Sequence, residues 1–318
     1  MTILTPAEVY DEMRGPASEA APDATLKPYR EDEEAPDGLE QAVAVLRWIS
    51  GKRFASLVND GPNVRWLHTA SAGVDHVLRP EVRAKLGLTV TDSGPAFEIA
   101  ISEFVLAWML LVARRLPELM AHQRAHQWEA VTQQELSGQT VGVVGLGPIG
   151  RGVASRAKAF GMRTLGLRRT QSPVAGVDEV LTGPDGLNRL LKASDFIVLA
   201  AALTGETRAL LGAEQFAQMK PTAWLINIAR GGLIDEAALI NALQWGHLGG
   251  ACLDVFASEP LSESSLLWDM PNVHIAPHNS PGMTTGLRER QKALFLDNLR
   301  RFARGKPLDS VVNIARGY

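Results

Sequence analysis

Apolar residues along this 318-residue chain fall into two alternating kinds of run. Short stretches rich in β-branched residues, at 43–46, 64–69, 88–91, 141–144, 162–167, 196–200, 223–228, 250–255 and 273–275, have the length and composition of strands. Between them, apolar residues recur at helical spacing. Ile149, Val153, Ala157 and Phe160 form one such set, with Gly161 as its stop. Strands that alternate with helices imply parallel sheets covered on both faces. A long apolar helix is predicted over 99–125; its richest stretch, 104–113, is too short to cross a bilayer and reads as buried. The last helix is predicted at about 285–302. An N-terminal strand, at most 1–5, looks short. Residues 31–34 are all acidic and precede Pro36 and Gly38, which reads as a solvated loop with no assigned function.

Composition narrows the class without naming a chemistry. The length suits two domains, each able to bury its own core. A net charge of −3 gives no general attraction to nucleic acid or to an anionic membrane. Cys252 is the only cysteine, so no internal disulfide can form and a reducing cytoplasm is expected. The start, Met1-Thr2-Ile3-Leu4-Thr5-Pro6, lacks the basic and apolar regions of a signal peptide. No repeat or low-complexity segment is evident.

The first chemical signal is the turn after the 141–144 strand. Gly145, Gly147 and Gly150 have G-x-G-x-x-G spacing, with Pro148 and Ile149 opening the following helix. Strand, glycine turn and helix N-terminus together make a pyrophosphate site. The next strand, 162–167, ends in Arg168-Arg169-Thr170 where an NAD site would carry an acid for the ribose hydroxyls. Guanidinium forks match a 2′-phosphate, so NADP(H) is the expected cofactor and NAD(H) the alternative. The fold class that follows is α/β, with two doubly wound parallel-sheet domains. A Rossmann cofactor domain at 97–286 is expected to be inserted into a flavodoxin-like substrate domain of 1–96 and 287–318, with a cleft between them.

Three further strands end in polar groups: Asn227-Ile228-Ala229-Arg230-Gly231, Leu253-Asp254-Val255-Phe256 followed by Glu259, and Pro277-His278. Exchange of hydride at a carbinol or carbonyl carbon needs a proton donor or acceptor beside it, and histidine suits that role near neutral pH. A carboxylate can orient the ring. Arginine can clamp a substrate carboxylate with two parallel hydrogen bonds. Arg230, Glu259 and His278 form a credible catalytic set.

On these motifs, together with Ala72-Gly73-Val74-Asp75 and Leu203-Thr204-Gly205-Glu206-Thr207, the chain resembles the D-isomer-specific 2-hydroxyacid dehydrogenases, most closely their glyoxylate/hydroxypyruvate reductase branch. The resemblance implies a substrate-binding Arg230, a general acid/base His278 and a partner Glu259. It implies that Ser71, Ala72 and Gly73 hold the substrate carboxylate, with Arg230 and His278 beside it. Along the cofactor it implies Thr207, Ile228, Ala229, Arg230, Asp254, His278 and Ser280, with Asp254 on the nicotinamide carboxamide. It also implies a homodimer through 99–138 and a reductase forming D-2-hydroxy acids from small 2-oxo acids. With nothing after Tyr318, a phosphoglycerate dehydrogenase carrying an added effector domain is not expected.

The chain departs from that family at Asn279-Ser280-Pro281-Gly282, where relatives usually have small residues ending in Thr, and at Ala202, where proline is common. Two rival readings share the scaffold: a dinucleotide-sensing co-repressor-like protein, and an enzyme acting on formate or phosphite. His122 and His126 have i,i+4 spacing but lack the glutamate and third ligand of a zinc site, so no metal is expected. Cys252 reads as core. Arg47 and Trp48 follow a strand and are candidates to line the cleft.

Overall fold

A computed structural model describes residues 1–33, 35–48 and 51–318; Glu34 of the acidic loop lies outside them. The chain divides into two compact units, one of Met1–Phe97 with Met283–Tyr318 and one of Glu98–Gly282.

Among the described residues the first unit holds five strands: β1 (Thr2–Pro6), β2 (Thr25–Tyr29), β3 (Ala42–Arg47), β4 (Trp66–Thr69) and β5 (Thr89–Thr91). They are all parallel, in the order β2-β1-β3-β4-β5, the flavodoxin arrangement. Helices cover both faces, so β3 and β4 are almost entirely buried. The short N-terminal strand is an interior strand, paired with β2 on one side and β3 on the other. Its neighbour β2, Thr-Leu-Lys-Pro-Tyr, escapes a sequence reading because it is an edge strand with Pro28 inside it.

The second unit holds β6 (Thr140–Val144), β7 (Arg163–Leu167), β8 (Glu179–Leu181), β9 (Phe196–Leu199), β10 (Trp224–Asn227), β11 (Gly250–Leu253) and β12 (Val273–Ile275). Their order, β12-β11-β10-β9-β6-β7-β8, is parallel throughout and reverses at β6. This is the doubly wound dinucleotide-binding arrangement, which takes ligands outside the carboxyl ends of its strands at that reversal.

The apolar helix expected over 99–125 is two helices, Gly94–Ala113 and Leu116–Arg124. Arg115 turns left-handed (φ 49°) between them, and Pro117 cannot continue the earlier helix because its ring excludes the preceding turn. The first helix has 20 residues. Among the described residues it alone is long and apolar enough to cross a bilayer, a test that core helices also pass. The apolar helix thus extends ten residues before the 104–113 stretch.

A polar knot lies inside the first unit. His68 on β4 is fully buried, with Nδ1 2.8 Å from Thr91 Oγ1 and Nε2 3.2 Å from Ser93 Oγ, and its ring meets Trp66 and Phe295. Burial lowers its pKa from 6.5 to about 3, so it stays neutral. The neighbouring Asp92 is pushed the other way by burial, from 3.8 to about 6, although Gly94 N–H donates to it. Below 6.5 the unfolded chain protonates its histidine and the folded chain does not, so His68 makes stability rise with pH between about 3 and 6.5. Between 3.8 and about 6 the folded chain keeps the Asp92 proton that the unfolded chain loses, and stability falls with pH. The two effects oppose each other. Asp92→Asn removes the second alone, and urea unfolding across that window should show stability rising more steeply, by up to about 1.4 kcal/mol per pH unit. An unchanged slope would contradict the burial of a protonated Asp92.

Candidate active site

In the second unit, β6 runs into a turn that depends on glycine. Gly145 has φ +99°, and a Cβ there would lie 2.7 Å from Ala200 backbone atoms. A Cβ on Gly150 would lie 1.9 Å from Gly145 O, so the third glycine lets the helix Pro148–Ala159 pack against the turn. A Cβ on Gly147 would meet no protein atom within 4 Å. The helix has no side-chain cap at Gly147, and its first-turn N–H groups and dipole favour an anion. These features fit a dinucleotide pyrophosphate.

Arg168 and Arg169 stand at the end of β7, as the sequence reading requires, but they are not equivalent. Arg168 donates from Nη1 to Ser172 Oγ at 3.1 Å, whereas Arg169 Nη2 is 2.6 Å from Glu206 Oε2 in an ion pair. Glu206 was seen only as part of a motif, and nothing in the sequence shows that it meets a residue 37 positions away. Thr170 is exposed. Thr207 closes its own turn, with Oγ1 accepting from Thr204 N at 2.8 Å and donating to Ala202 O at 2.7 Å.

The ends of β10, β11 and β12 lie side by side in the sheet and carry the remaining candidates. After β10, the buried Asn227 accepts from Ala229 N at 3.1 Å and donates to Arg230 O at 3.0 Å, which shapes the loop through Ile228 and Ala229. Sequence reasoning gave Asn227 no role. Arg230 is part-buried, and its Nη1 donates to Ala229 O at 2.7 Å. Gly231 is obligatory in the next position, since a Cβ would lie 1.9 Å from the Phe256 carbonyl carbon.

Glu259 and His278 meet directly. Glu259 Oε1 accepts from Phe256 N at 3.1 Å, and Oε2 accepts a hydrogen bond from His278 Nδ1–H at 2.8 Å. That bond fixes the ring and leaves Nε2 for proton transfer. His278 itself is left-handed (φ 52°), an uncommon conformation for a residue with a side chain.

Asp254 holds it there. This residue is 0% exposed, its carbonyl accepts from His278 N at 2.8 Å, and its carboxylate accepts from Asn279 N at 2.6 Å and Ser280 N at 3.0 and 3.1 Å. The side chain expected on the nicotinamide is thus turned into the protein, where it binds the loop that departs from the family pattern. Ser280, another expected cofactor contact, is buried with its N–H on that carboxylate.

Ser71, Ala72 and Gly73 follow β4 in the first unit and are part-exposed. Arg47 and Trp48, the candidates to line the cleft, are buried: Arg47 is the last residue of β3 and is 5% exposed, and Trp48 is 1% exposed. His126 falls beyond the helix that carries His122, with φ 55°, so the i,i+4 pairing does not form. Among the described residues no three His, Cys, Asp or Glu side chains are grouped to hold a metal. Cys252 is fully buried in β11, and burial pushes its thiol well above the ordinary range, as expected of core.

Residues 106–280 match the family model for the D-isomer specific 2-hydroxyacid dehydrogenase NAD binding domain. The chain belongs to the D-isomer specific 2-hydroxyacid dehydrogenase family. It is 36% identical over 279 residues to the glyoxylate reductase of Thermococcus gammatolerans, covering 85% of this chain and 82% of that protein. It is also 35% identical over 291 residues to the D-3-phosphoglycerate dehydrogenase of Methanocaldococcus jannaschii, covering 89% of this chain and 54% of that protein. Among solved structures, a D-isomer specific 2-hydroxyacid dehydrogenase from Xanthobacter autotrophicus in complex with NADPH has a TM-score of 0.87 at 31% identity, covering 100% of this chain and 99% of that one. The two parallel sheets described above are those of a 2-hydroxyacid dehydrogenase, and family membership makes the chain an oxidoreductase.

The role of Asp254 is directly measurable. In Asp254→Ala the N–H groups of Asn279 and Ser280 lose their acceptor, and Ser280 is buried. Urea unfolding should show a loss of roughly 2–4 kcal/mol, with Asp254→Asn less affected because one acceptor oxygen remains. A loss under about 0.5 kcal/mol would mean that the loop is held by something else.

Proposed function

We propose that this dehydrogenase is an NADP(H)-dependent reductase of small 2-oxo acids of the glyoxylate and hydroxypyruvate type, forming D-2-hydroxy acids. The observation that carries the reading is the 2.8 Å bond between His278 Nδ1 and Glu259 Oε2, next to the strand end that carries Arg230. The likeness to a glyoxylate reductase and to an NADPH-bound dehydrogenase supports it.

When bound, the nicotinamide supplies the hydride. Gly145, Gly147, Pro148, Ile149 and Gly150 hold the pyrophosphate against the helix N-terminus. Arg168, with Arg169 and Thr170 beside it, takes the 2′-phosphate. Ser71, Ala72 and Gly73 receive the substrate carboxylate through their backbone. Arg230 clamps the carboxylate and carbonyl oxygens and draws electron density from C2, which orients the substrate and lowers the barrier together. His278 Nε2–H gives its proton to the carbonyl oxygen as the alkoxide forms. Glu259 keeps the ring turned by holding Nδ1–H and stabilises the charged partner in the exchange. Asp254 acts one step back, by fixing the His278 backbone.

A second copy of the chain is the proposed partner for the region 99–138, where Leu116, Met120 and Trp128 are exposed. Sedimentation velocity reads that dimer directly.

The function is tested by a panel of glyoxylate, hydroxypyruvate, phenylpyruvate and 3-phosphohydroxypyruvate with NADPH and NADH. Oxidation of NADPH by the first two is expected, and His278→Ala should lower turnover roughly 10²–10⁴-fold while NADPH still binds. Turnover confined to the phosphorylated substrate would move the protein to its phosphoglycerate relatives. Arg168→Asp should shift kcat/KM toward NADH by on the order of 1–3 kcal/mol, and an unchanged NADPH/NADH ratio would remove the 2′-phosphate assignment.

A further inference from the structure

Arg47 is a cation in an unusual place. It is 5% exposed at the carboxyl end of β3, its guanidinium carbon lies 5.3 Å from the Phe54 ring centroid, and Arg79 lies 6.0 Å from the same ring. Burial and the like charge of Arg79 lower its pKa, while Tyr29, Glu31 and Glu8 act in the opposite sense. An arginine nonetheless keeps its charge in a protein. Burying that charge costs free energy that an apolar residue of similar size avoids, so its position asks for a use beyond packing.

One chain of hydrogen bonds leads from it to the turn after β4. Arg47 Nη1 donates to Thr69 Oγ1 at 3.1 Å, Thr69 Oγ1 is 2.8 Å from Ser71 Oγ, and Ser71 Oγ donates to Gly73 O at 3.0 Å. Guanidinium has only donors, and a serine hydroxyl has one proton. Since Ser71 donates that proton to Gly73 O, the Thr69 hydroxyl must donate to Ser71. The relay therefore starts at a buried positive charge and ends on a turn carbonyl. Each link is polarised by the one before it.

We propose that Arg47 is a positioning residue for the substrate carboxylate, acting through Thr69 and Ser71. This rests on the reading that residues 71–73 receive that carboxylate. A carbonyl free to rotate in this turn would present its negative end to an anion. Held by Ser71, the Gly73 carbonyl is engaged, and the peptide plane after it is fixed. The buried cation adds positive potential that water does not screen, because Arg47 and Thr69 are both closed to solvent. The preferred ligand is a small monoanionic 2-oxo carboxylate.

The test separates KM from kcat. Arg47→Met and Thr69→Val each break the relay, and Thr69→Val keeps the cation and the side-chain shape. Both should raise KM for glyoxylate roughly tenfold, the worth of a hydrogen bond linked to a charge. The Kd for oxalate, measured by calorimetry on protein saturated with NADPH, should rise in step. The kcat should stay within about twofold, since the reacting carbon is served by other residues, and fluorescence titration should give an unchanged Kd for NADPH. Arg47→Lys, which keeps a charge and a donor, should recover part of the loss. Ser71→Ala tests the turn itself. If Ser71→Ala raises KM and the Arg47 and Thr69 variants do not, the relay from Arg47 is refuted and the carboxylate site stands. If all of them leave KM and the oxalate Kd unchanged in a folded, active enzyme, the carboxylate site is wrong as well.

Discussion

The site depends most on the carboxylate of Asp254. The strand β12 is only three residues long and ends three positions before His278, so the sheet alone cannot set the histidine's direction. Asp254 sets it, by gathering the N–H groups of Asn279 and Ser280 and taking the His278 N–H on its own carbonyl. A left-handed residue with a side chain costs on the order of 1–3 kcal/mol, and persists only where its surroundings hold it. Here the holder is a fully buried acid whose carboxylate accepts from two backbone N–H groups, those of Asn279 and Ser280. Glu259 then finds the ring at 2.8 Å because both sides of that contact are fixed, one by Asp254 and the other by Phe256 N.

A second constraint follows from parallel topology. Every strand in each sheet delivers its carboxyl end to the same edge, and the chain has put arginines there. Arg47 ends β3, Arg168 and Arg169 follow β7, and Arg230 lies three residues beyond β10. A protein with a net charge of −3 thus meets anions with local positive charge rather than with an overall positive field. The arginines differ in what they are given as partners. Arg169 has a carboxylate in Glu206, Arg168 a hydroxyl in Ser172, and Arg47 a hydroxyl in Thr69.

Much of this was legible in the residues. The 141–144 run with its three glycines, the strand ends carrying Arg230 and His278, and the alternation that implies two parallel sheets all depend on local pattern, which a single sequence displays. What escaped depends on tertiary neighbours. The strand β2 is an edge with a proline, and β8 has three residues, so neither repeats long enough to stand out. The break at Arg115 was marked in the residues by Arg114, Arg115 and Pro117, a stop that the apolar residues on either side obscured. Asp254 resembled a strand-end acid facing a ligand, and only the fold reveals that its partners lie 25 and 26 positions away. Arg47 could be read only as a candidate to line the cleft, because its burial and its bond to Thr69 depend on neighbours distant in sequence.

In the proposed reaction this geometry directs hydride and proton to a 2-oxo acid with one handedness. The most direct measurement is chiral chromatography of the glycerate formed from hydroxypyruvate and NADPH. The account requires the D-2-hydroxy acid alone, formed in equal amount to the NADPH consumed. Accumulation of the L-enantiomer, or of a racemate, would contradict it.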